Sequence, residues 1–122
     1  MYLTCILIPF HSLQNNLFLA VGRGDLEAAR ELIEESGPSV RHSKSHCTLL
    51  HTAAANNHSK LVVFLLRFIH PNVVNNDHQT PAHMAAINGH TEALKILLAD
   101  DDINPDIRDN SHRTFKDLVR KL

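Results

Sequence analysis

The sequence predicts an all-α solenoid in which short antiparallel helix pairs stack side by side. Segments 48–54 and 80–86 share a threonine, a histidine and two adjacent alanines at identical offsets, 32 residues apart, and such self-similarity is typical of repeat architectures. Each segment leads into an apolar stretch, at 61–66 and 93–98, whose apolar residues have helical spacing. The chain has 122 residues, of which 43% are hydrophobic and 20% charged, a composition that fits one globular domain.

Residues 1–12 are predicted to form an apolar extension that precedes the repeats. The stretch 2–10 contains Pro9, lacks the positively charged flank of a secretory signal and is too short to span a membrane. A weak uncleaved signal is the alternative interpretation. The two cysteines, Cys5 and Cys47, imply no disulfide framework, which favours a reducing compartment, either the cytoplasm or the nucleus.

The repeat pattern divides residues 13–122 into three and a half units. Their predicted boundaries lie at about 13–45, 46–77, 78–111 and 112–122. The first unit lacks the threonine and the histidine, but Gly24 and Asp25 fill the turn that Gly89 and His90 fill in the third. The repeat motif of the last unit begins at Thr114, and the unit holds only its first helix. The array therefore lies near the minimum of about three units that such folds need.

Each unit is predicted to consist of two helices joined by a tight turn. Thr80 can cap the exposed backbone N–H groups at the start of the first helix, and Pro81 suits its first position. Gly89 permits the left-handed backbone that ends this helix. Ser59 and Thr91 are then predicted to cap the second helix of their units.

The spacing of apolar side chains predicts which helix face is buried. Leu61, Leu65 and Ile69 fall on one face of the second helix in the second unit. One pair of short helices cannot bury such a face alone, so neighbouring units must stack into a continuous core. The paired alanines at 53–54 and 85–86 allow the first helices to approach one another closely.

Two segments of the third unit carry a family resemblance. Residues 80–85, Thr-Pro-Ala-His-Met-Ala, and 88–98, Asn-Gly-His-Thr-Glu-Ala-Leu-Lys-Ile-Leu-Leu, closely resemble the consensus of ankyrin repeats, and the resemblance covers about residues 13–122. It implies an L-shaped solenoid with hairpin-like loops on one side, a fold used for protein recognition.

The chain departs from the family in a turn slot that usually holds glycine. Histidine fills this slot in three turns, at His46, His78 and His112. Histidine tolerates a positive φ better than most residues, so we expect these turns to keep their shape at modest strain.

Ten histidines raise the question of metal or acid–base chemistry. His51 and His83 occupy the histidine slot of the repeat motif, where we expect a buried ring hydrogen bonded to neighbouring loops. The best zinc candidate lacks a second pair of ligands at metal-binding spacing; it consists of His42, His46, Cys47 and His51. The aspartate-rich residues 100–106 fail the spacing of a calcium loop in both registers. We therefore predict no metal, cofactor, catalytic residue or enzyme activity.

A partner is expected to bind where the repeat pattern leaves residues free, at the loop tips and on the inner face of the first helices. The predicted partner-binding residues are Lys44, Ser45, Thr52, Asn56, Asn76, Asp77, Gln79, Met84, Ile87, Asn88, Asn110 and Arg113. Cys47, Ala55 and Ser111 lie in the same rows. Met84 and Ile87 would form an apolar anchor; the alternative is that the partial fourth unit covers them.

These observations predict a non-catalytic protein-interaction module or adaptor, a monomer that binds another protein. Lysine and arginine total 12 against 13 acidic residues, a formal net charge of −1. Charge therefore gives no reason to expect binding to nucleic acid or to an anionic membrane. The alternative is a regulatory ankyrin segment of a larger enzyme or transcription regulator.

Overall fold

The structure is a computed structural model that describes residues 10–119, with side chains described from residue 16. Seven α-helices occur in this part of the chain, together with one backbone bridge between Arg41 and Thr48. The helices are α1 Phe10–Arg23, α2 Leu26–Ser36, α3 Leu49–Ala55, α4 Ser59–Leu65, α5 Pro81–Ile87, α6 Thr91–Leu98 and α7 Phe115–Leu118. The all-α prediction is confirmed. Of the predicted extension, residues 1–9 lie outside the described residues, and α1 begins at Phe10.

The helices pair and stack as the repeat pattern predicts. Helix α1 packs on α2, α3 on α4, and α5 on α6, while α7 begins a fourth unit. The first helices of the units form an inner layer in the order α1, α3, α5, α7, in which each contacts the next, and α4 contacts α6 in the outer layer. Neighbouring units therefore share one core.

Small side chains in the inner layer and large ones between the layers fill this core. The alanines at 53–54 and 85–86 are at most 2% exposed and lie on the neighbouring helices α3 and α5. Leu61, Leu65 and Ile69, predicted to form the buried face of the second helix, are 1%, 0% and 8% exposed. The burial of both sets is confirmed, but Ile69 lies beyond α4, which ends at Leu65.

Reciprocal capping boxes begin α3 and α5. The hydroxyl oxygen of Thr80 accepts from the His83 N–H at 3.3 Å, and Nδ1 of His83 accepts from the Thr80 N–H at 3.1 Å. Since Nδ1 is an acceptor, the ring proton is on Nε2, which donates to the carbonyl of Arg113 in the next loop at 2.9 Å. The equivalent Nε2 of His51 bonds the carbonyl of Gln79 at 2.7 Å, and both rings are buried. The prediction of buried, hydrogen-bonded histidines is confirmed.

The second helices begin one residue earlier than predicted. Ser59 and Thr91 are not caps but the first helical residues of α4 and α6, and His58 and His90 occupy the cap positions without a side-chain cap hydrogen bond. The reason is that a single residue with non-helical ψ, 79° at His58 and 86° at His90, separates each turn from its helix. The His58 ring reaches back instead, and its Nε2 bonds the carbonyl of Gly22 in the preceding unit at 2.8 Å.

Candidate functional site

The loops that precede α3, α5 and α7 form one edge of the molecule. We call it the hairpin edge, which comprises residues 41–47, 74–79 and 108–113. Each loop turns at a histidine with positive φ, 59° at His46, 58° at His78 and 63° at His112. The expectation that histidine keeps the left-handed turn of the glycine slot is therefore confirmed.

Asparagine side chains and backbone groups join neighbouring loops of the hairpin edge. The Asn76 N–H donates to the carbonyl of Ser45 at 3.0 Å, and its Nδ2 donates to the carbonyl of Lys44 at 2.8 Å. Asn110 repeats both contacts one unit later, with the carbonyls of Asp77 at 3.0 Å and Asn76 at 3.2 Å. All five are predicted partner-binding residues, and the structure shows that Asn76 and Asn110 also hold the edge together.

Asp109 organises the third loop of the hairpin edge. The residue is 5% exposed, and its Oδ1 accepts from the N–H groups of Ser111 and Arg113, both at 2.9 Å. Burial alone would raise the pKa of this carboxyl, but hydrogen bonds from the backbone and guanidinium of Arg113 and from the Ser111 N–H lower it. The predicted partner residue Arg113 is therefore fixed by an ion pair of 3.0 Å, with its side chain 46% exposed. Asn75 plays the same part in the second loop through its amide oxygen.

The inner face of the first helices carries apolar side chains. The first helices end at left-handed turn residues, which are Gly24, Asn57 and Gly89. The residues five positions before these turns are therefore equivalent in α1, α3 and α5, and they are Leu19, Thr52 and Met84. Leu19 is 58% exposed, Ile87 is 46% exposed, and Met84 is partly buried. The described part of the fourth unit thus leaves Ile87 open to solvent. Leu19 was not predicted as a site residue, although its offset from the turn at Gly24 identifies it.

Two exposed asparagines lie at the turn end of this face. Nδ2 of Asn88 donates to the carbonyl of Ala55 in the neighbouring unit at 3.2 Å and to that of Met84 at 3.0 Å. Nδ2 of Asn56 donates to the carbonyl of Thr52 at 2.9 Å. Both predicted partner residues therefore border the inner face in fixed positions.

The geometry of the rejected zinc candidate, like its sequence spacing, does not suit a metal ion. Within residues 10–119, no three histidine, cysteine or acidic side chains among those described, from residue 16 onward, are placed to hold one ion together. His51 is fully buried and uses both ring nitrogens in the contacts above. Nδ1 of His42 accepts from the N–H groups of Lys44 and Ser45. No helix in the same range is long and apolar enough to cross a membrane.

The chain belongs to the ankyrin repeat family. A family model described as ankyrin repeats in three copies matches residues 17–109, as the resemblance of the third unit predicts. Ankyrin repeats are protein-interaction modules, so the class of molecule that the fold defines is a protein-binding repeat array.

Three curated relatives share the repeat region. The chain is 33% identical to the putative E3 ubiquitin-protein ligase XBAT31 of Arabidopsis thaliana over 92 residues, covering 69% of this chain and 19% of the relative. It is 34% identical to the E3 ubiquitin-protein ligase XB3 of Oryza sativa subsp. japonica, covering 74% and 21%. It is 28% identical to transient receptor potential cation channel subfamily A member 1 of Homo sapiens, covering 67% and 8%. The chain therefore spans about a fifth or less of these relatives.

A solved structure supports the ankyrin solenoid independently. The fold matches a chain in the crystal structure of the yeast ribosomal protein Rps3 in complex with its chaperone Yar1, with a TM-score of 0.75 and 24% sequence identity. The match covers 88% of this chain and 82% of that one. The predicted fold is thus confirmed as a whole.

Proposed function

We propose that this chain is a non-catalytic protein-interaction module or adaptor, whose partner lies across the inner helix face and the hairpin edge. The observation that carries the proposal is the exposure of Leu19 and Ile87, beside the partly buried Met84, on the inner helices. Apolar side chains at the centre of a surface with a polar rim are typical of protein interfaces. Asn56 and Asn88 supply one rim, and the hairpin edge supplies the other.

The rigidity of this surface also favours binding. Asn76 and Asn110 join the three loops, and capping boxes fix the starts of α3 and α5. A surface that is already ordered loses little conformational entropy when a partner binds. Lys44, Asp77 and Gln79 complete the proposed contact set at the loop tips.

Affinity capture with quantitative mass spectrometry tests this proposal. We expect the double variant Met84→Glu with Ile87→Glu to lose its specific partners by at least about tenfold, because charges in the apolar centre of an interface remove its main contacts. Circular dichroism should show unchanged helical content. Loss of the helical signal would instead assign the two side chains to the core.

Val63→Glu is the matched control for this experiment. Val63 is 55% exposed on α4 in the outer layer, so a single charge of the same sign enters an exposed apolar site away from the inner face. Partner capture by this variant should equal that of the unmodified chain. Equal loss in both variants, or full capture by the double variant, contradicts the proposed surface.

A regulatory ankyrin segment of a larger enzyme or transcription regulator is the second candidate. It is favoured by the relatives, since the chain spans 19% and 21% of the two ubiquitin ligases. An immunoblot of the endogenous product separates the two candidates. A band of the size of 122 residues supports an adaptor, and a band several times larger supports the segment.

We further propose a monomer in the cytoplasm or nucleus that needs no cofactor and does not bind nucleic acid. The net charge of −1 supports the last point. Light scattering of the purified chain tests the oligomeric state, and a fluorescent fusion tests the compartment.

A further inference from the structure

The two sides of this solenoid differ in the balance of their exposed charges. The exposed cations of the hairpin edge are Arg41, Lys44, Arg108 and Arg113. Of the carboxylates there, Asp109 is buried against Arg113, and Asp77 is exposed. The outer helices carry both signs of charge. Carboxylates are in excess there, because α2 exposes Glu27, Glu31, Glu34 and Glu35 and the loop 100–106 after α6 is rich in aspartate, against the exposed cations Arg30, Lys60, Arg67 and Lys95. The hairpin edge is thus the cationic side of a chain whose net charge is negative.

Two of these cations occupy corresponding positions in the first and third loops. Nη1 of Arg41 donates to the carbonyls of His46 and Val74, both at 2.9 Å, and Nη1 of Arg108 donates to the carbonyl of His112 at 2.8 Å. Val74, partly buried, takes the corresponding position in the middle loop. A guanidinium has five N–H donors, so these bonds orient each group and leave further donors for a carboxylate. The edge therefore presents a cation, an apolar side chain and a second cation in one row.

We infer that the hairpin edge binds an extended acidic segment of the partner protein, with carboxylates at Arg41 and Arg108 and an apolar side chain between them at Val74. This inference rests on the proposed function and adds the chemistry of the partner. Stacked helices lie about 8–10 Å apart, which separates the first and third loops by about 20 Å. An extended chain spans that distance with about six residues. Lys44 adds a cation for a flanking acidic residue.

A peptide fits this edge better than a nucleic acid. The acidic outer side and the negative net charge oppose a polyanion as long as a nucleic acid. Single-stranded nucleic acid is also commonly bound by large aromatic side chains on which its bases stack. The three loops contain histidine but no phenylalanine, tyrosine or tryptophan. A short acidic peptide meets the cations without reaching the acidic side.

Selection from a phage-displayed library of random peptides, about twelve residues long to exceed the span of the edge, tests the inference on the full chain. We expect enrichment of aspartate and glutamate at separated positions with apolar residues between them. Lys44→Glu should weaken the selected peptides by about fivefold. Lys60→Glu makes the same charge change on the exposed side of α4 and should weaken them less than about twofold.

The possible outcomes separate the inference from the proposed function. Peptides that depend on Ile87 but are neutral or basic overturn the inference and leave the proposed function standing. Equal losses in the two lysine variants also overturn the inference alone. Displacement of the peptides by an oligouridine competitor at equal affinity overturns it in favour of nucleic acid. Failure to select any peptide that depends on the inner face or the hairpin edge contradicts both.

Discussion

The second and third units have the same interior but different surfaces. Each begins its first helix with a threonine–histidine capping box, and each histidine ring bonds a carbonyl of the next loop. On the inner face, however, the second unit has Thr52 and Ala55 where the third has Met84 and Ile87. The buried positions are constrained by the stack, whereas the exposed ones are free to specify a partner.

The largest expected effect tests the shared interior. Leu65 and Leu97 are both 0% exposed and lie on the second helices of the two units. Leu65→Ala and Leu97→Ala should each lower the free energy of unfolding by about 2–5 kcal/mol, through lost burial and a residual cavity. Urea denaturation followed by circular dichroism measures both. The exposed control Val63→Ala should change it by less than about 0.5 kcal/mol, and a similarly small effect at either leucine would contradict a single shared core.

The next effect concerns His51, the buried histidine of the capping box in the second unit. Burial lowers the pKa of His51 to about 4, and the charges of Arg41 and His83 act in the same direction, against the hydrogen bond to Gln79. The unfolded chain has the ordinary value of 6.5, so between pH 6.5 and 4 it takes up a proton that the folded chain does not. The contribution of His51 to the free energy of unfolding is therefore complete above pH 6.5. It falls as the pH drops from 6.5 to 4, by about 3 kcal/mol in total.

Denaturation at a series of pH values measures the slope of the free energy of unfolding against pH. His51→Gln should flatten it between pH 6.5 and 4, whatever its effect on stability at neutral pH. His83→Gln changes the equivalent slot of the third unit and removes only the smallest of the effects on the pKa of His51, so most of the His51 contribution should remain. An unchanged slope in His51→Gln would show that other groups cause the acid sensitivity.

The sequence predicts the parts of the molecule in which each residue has one local role. Thr80 and Pro81 start a helix through contacts within its first turn, and His46 keeps a turn because a positive φ is a property of the single residue. The prediction of Ser59 as a cap is wrong because the backbone of His58, with its non-helical ψ, makes His58 the cap residue. The ring of His58 bonds the carbonyl of Gly22 in the preceding unit, a contact that the local sequence does not reveal.

The candidate surface is less predictable because it depends on contacts between units. Asn76 and Asn110 look like free polar residues in the sequence, and only the stack brings their amides to the preceding loop. The ion pair between Asp109 and Arg113 likewise depends on the fold of one loop. Met84 is predicted because the repeat pattern leaves its position free, whereas Leu19 lies in the first unit, which lacks the threonine and the histidine of the motif.

A smaller effect tests the difference between the two surfaces. Met84→Thr with Ile87→Ala gives the third unit the inner face of the second. Partner affinity should fall by about tenfold, since side chains at the centre of an interface carry most of its binding energy. The free energy of unfolding should change by less than about 1 kcal/mol, because Ile87 is 46% exposed. Affinity that survives this exchange would place the binding energy outside the third unit.

The smallest effect distinguishes two turn histidines that have the same backbone. His46 and His78 have φ values of 59° and 58°, a conformation that costs glycine nothing. His46→Gly should therefore stabilise the chain by about 0.5–1 kcal/mol. This gain is the strain of the left-handed backbone that the substitution removes, minus the cost of the conformational entropy that glycine adds to the unfolded chain. His78→Gly should give almost no gain, because Nδ1 of His78 bonds the carbonyl of Arg108 at 2.8 Å, and losing that bond costs about 1 kcal/mol. Urea midpoints of the two variants, compared at neutral pH, measure the difference; equal gains would mean that the bond to Arg108 contributes nothing to the stability of the hairpin edge.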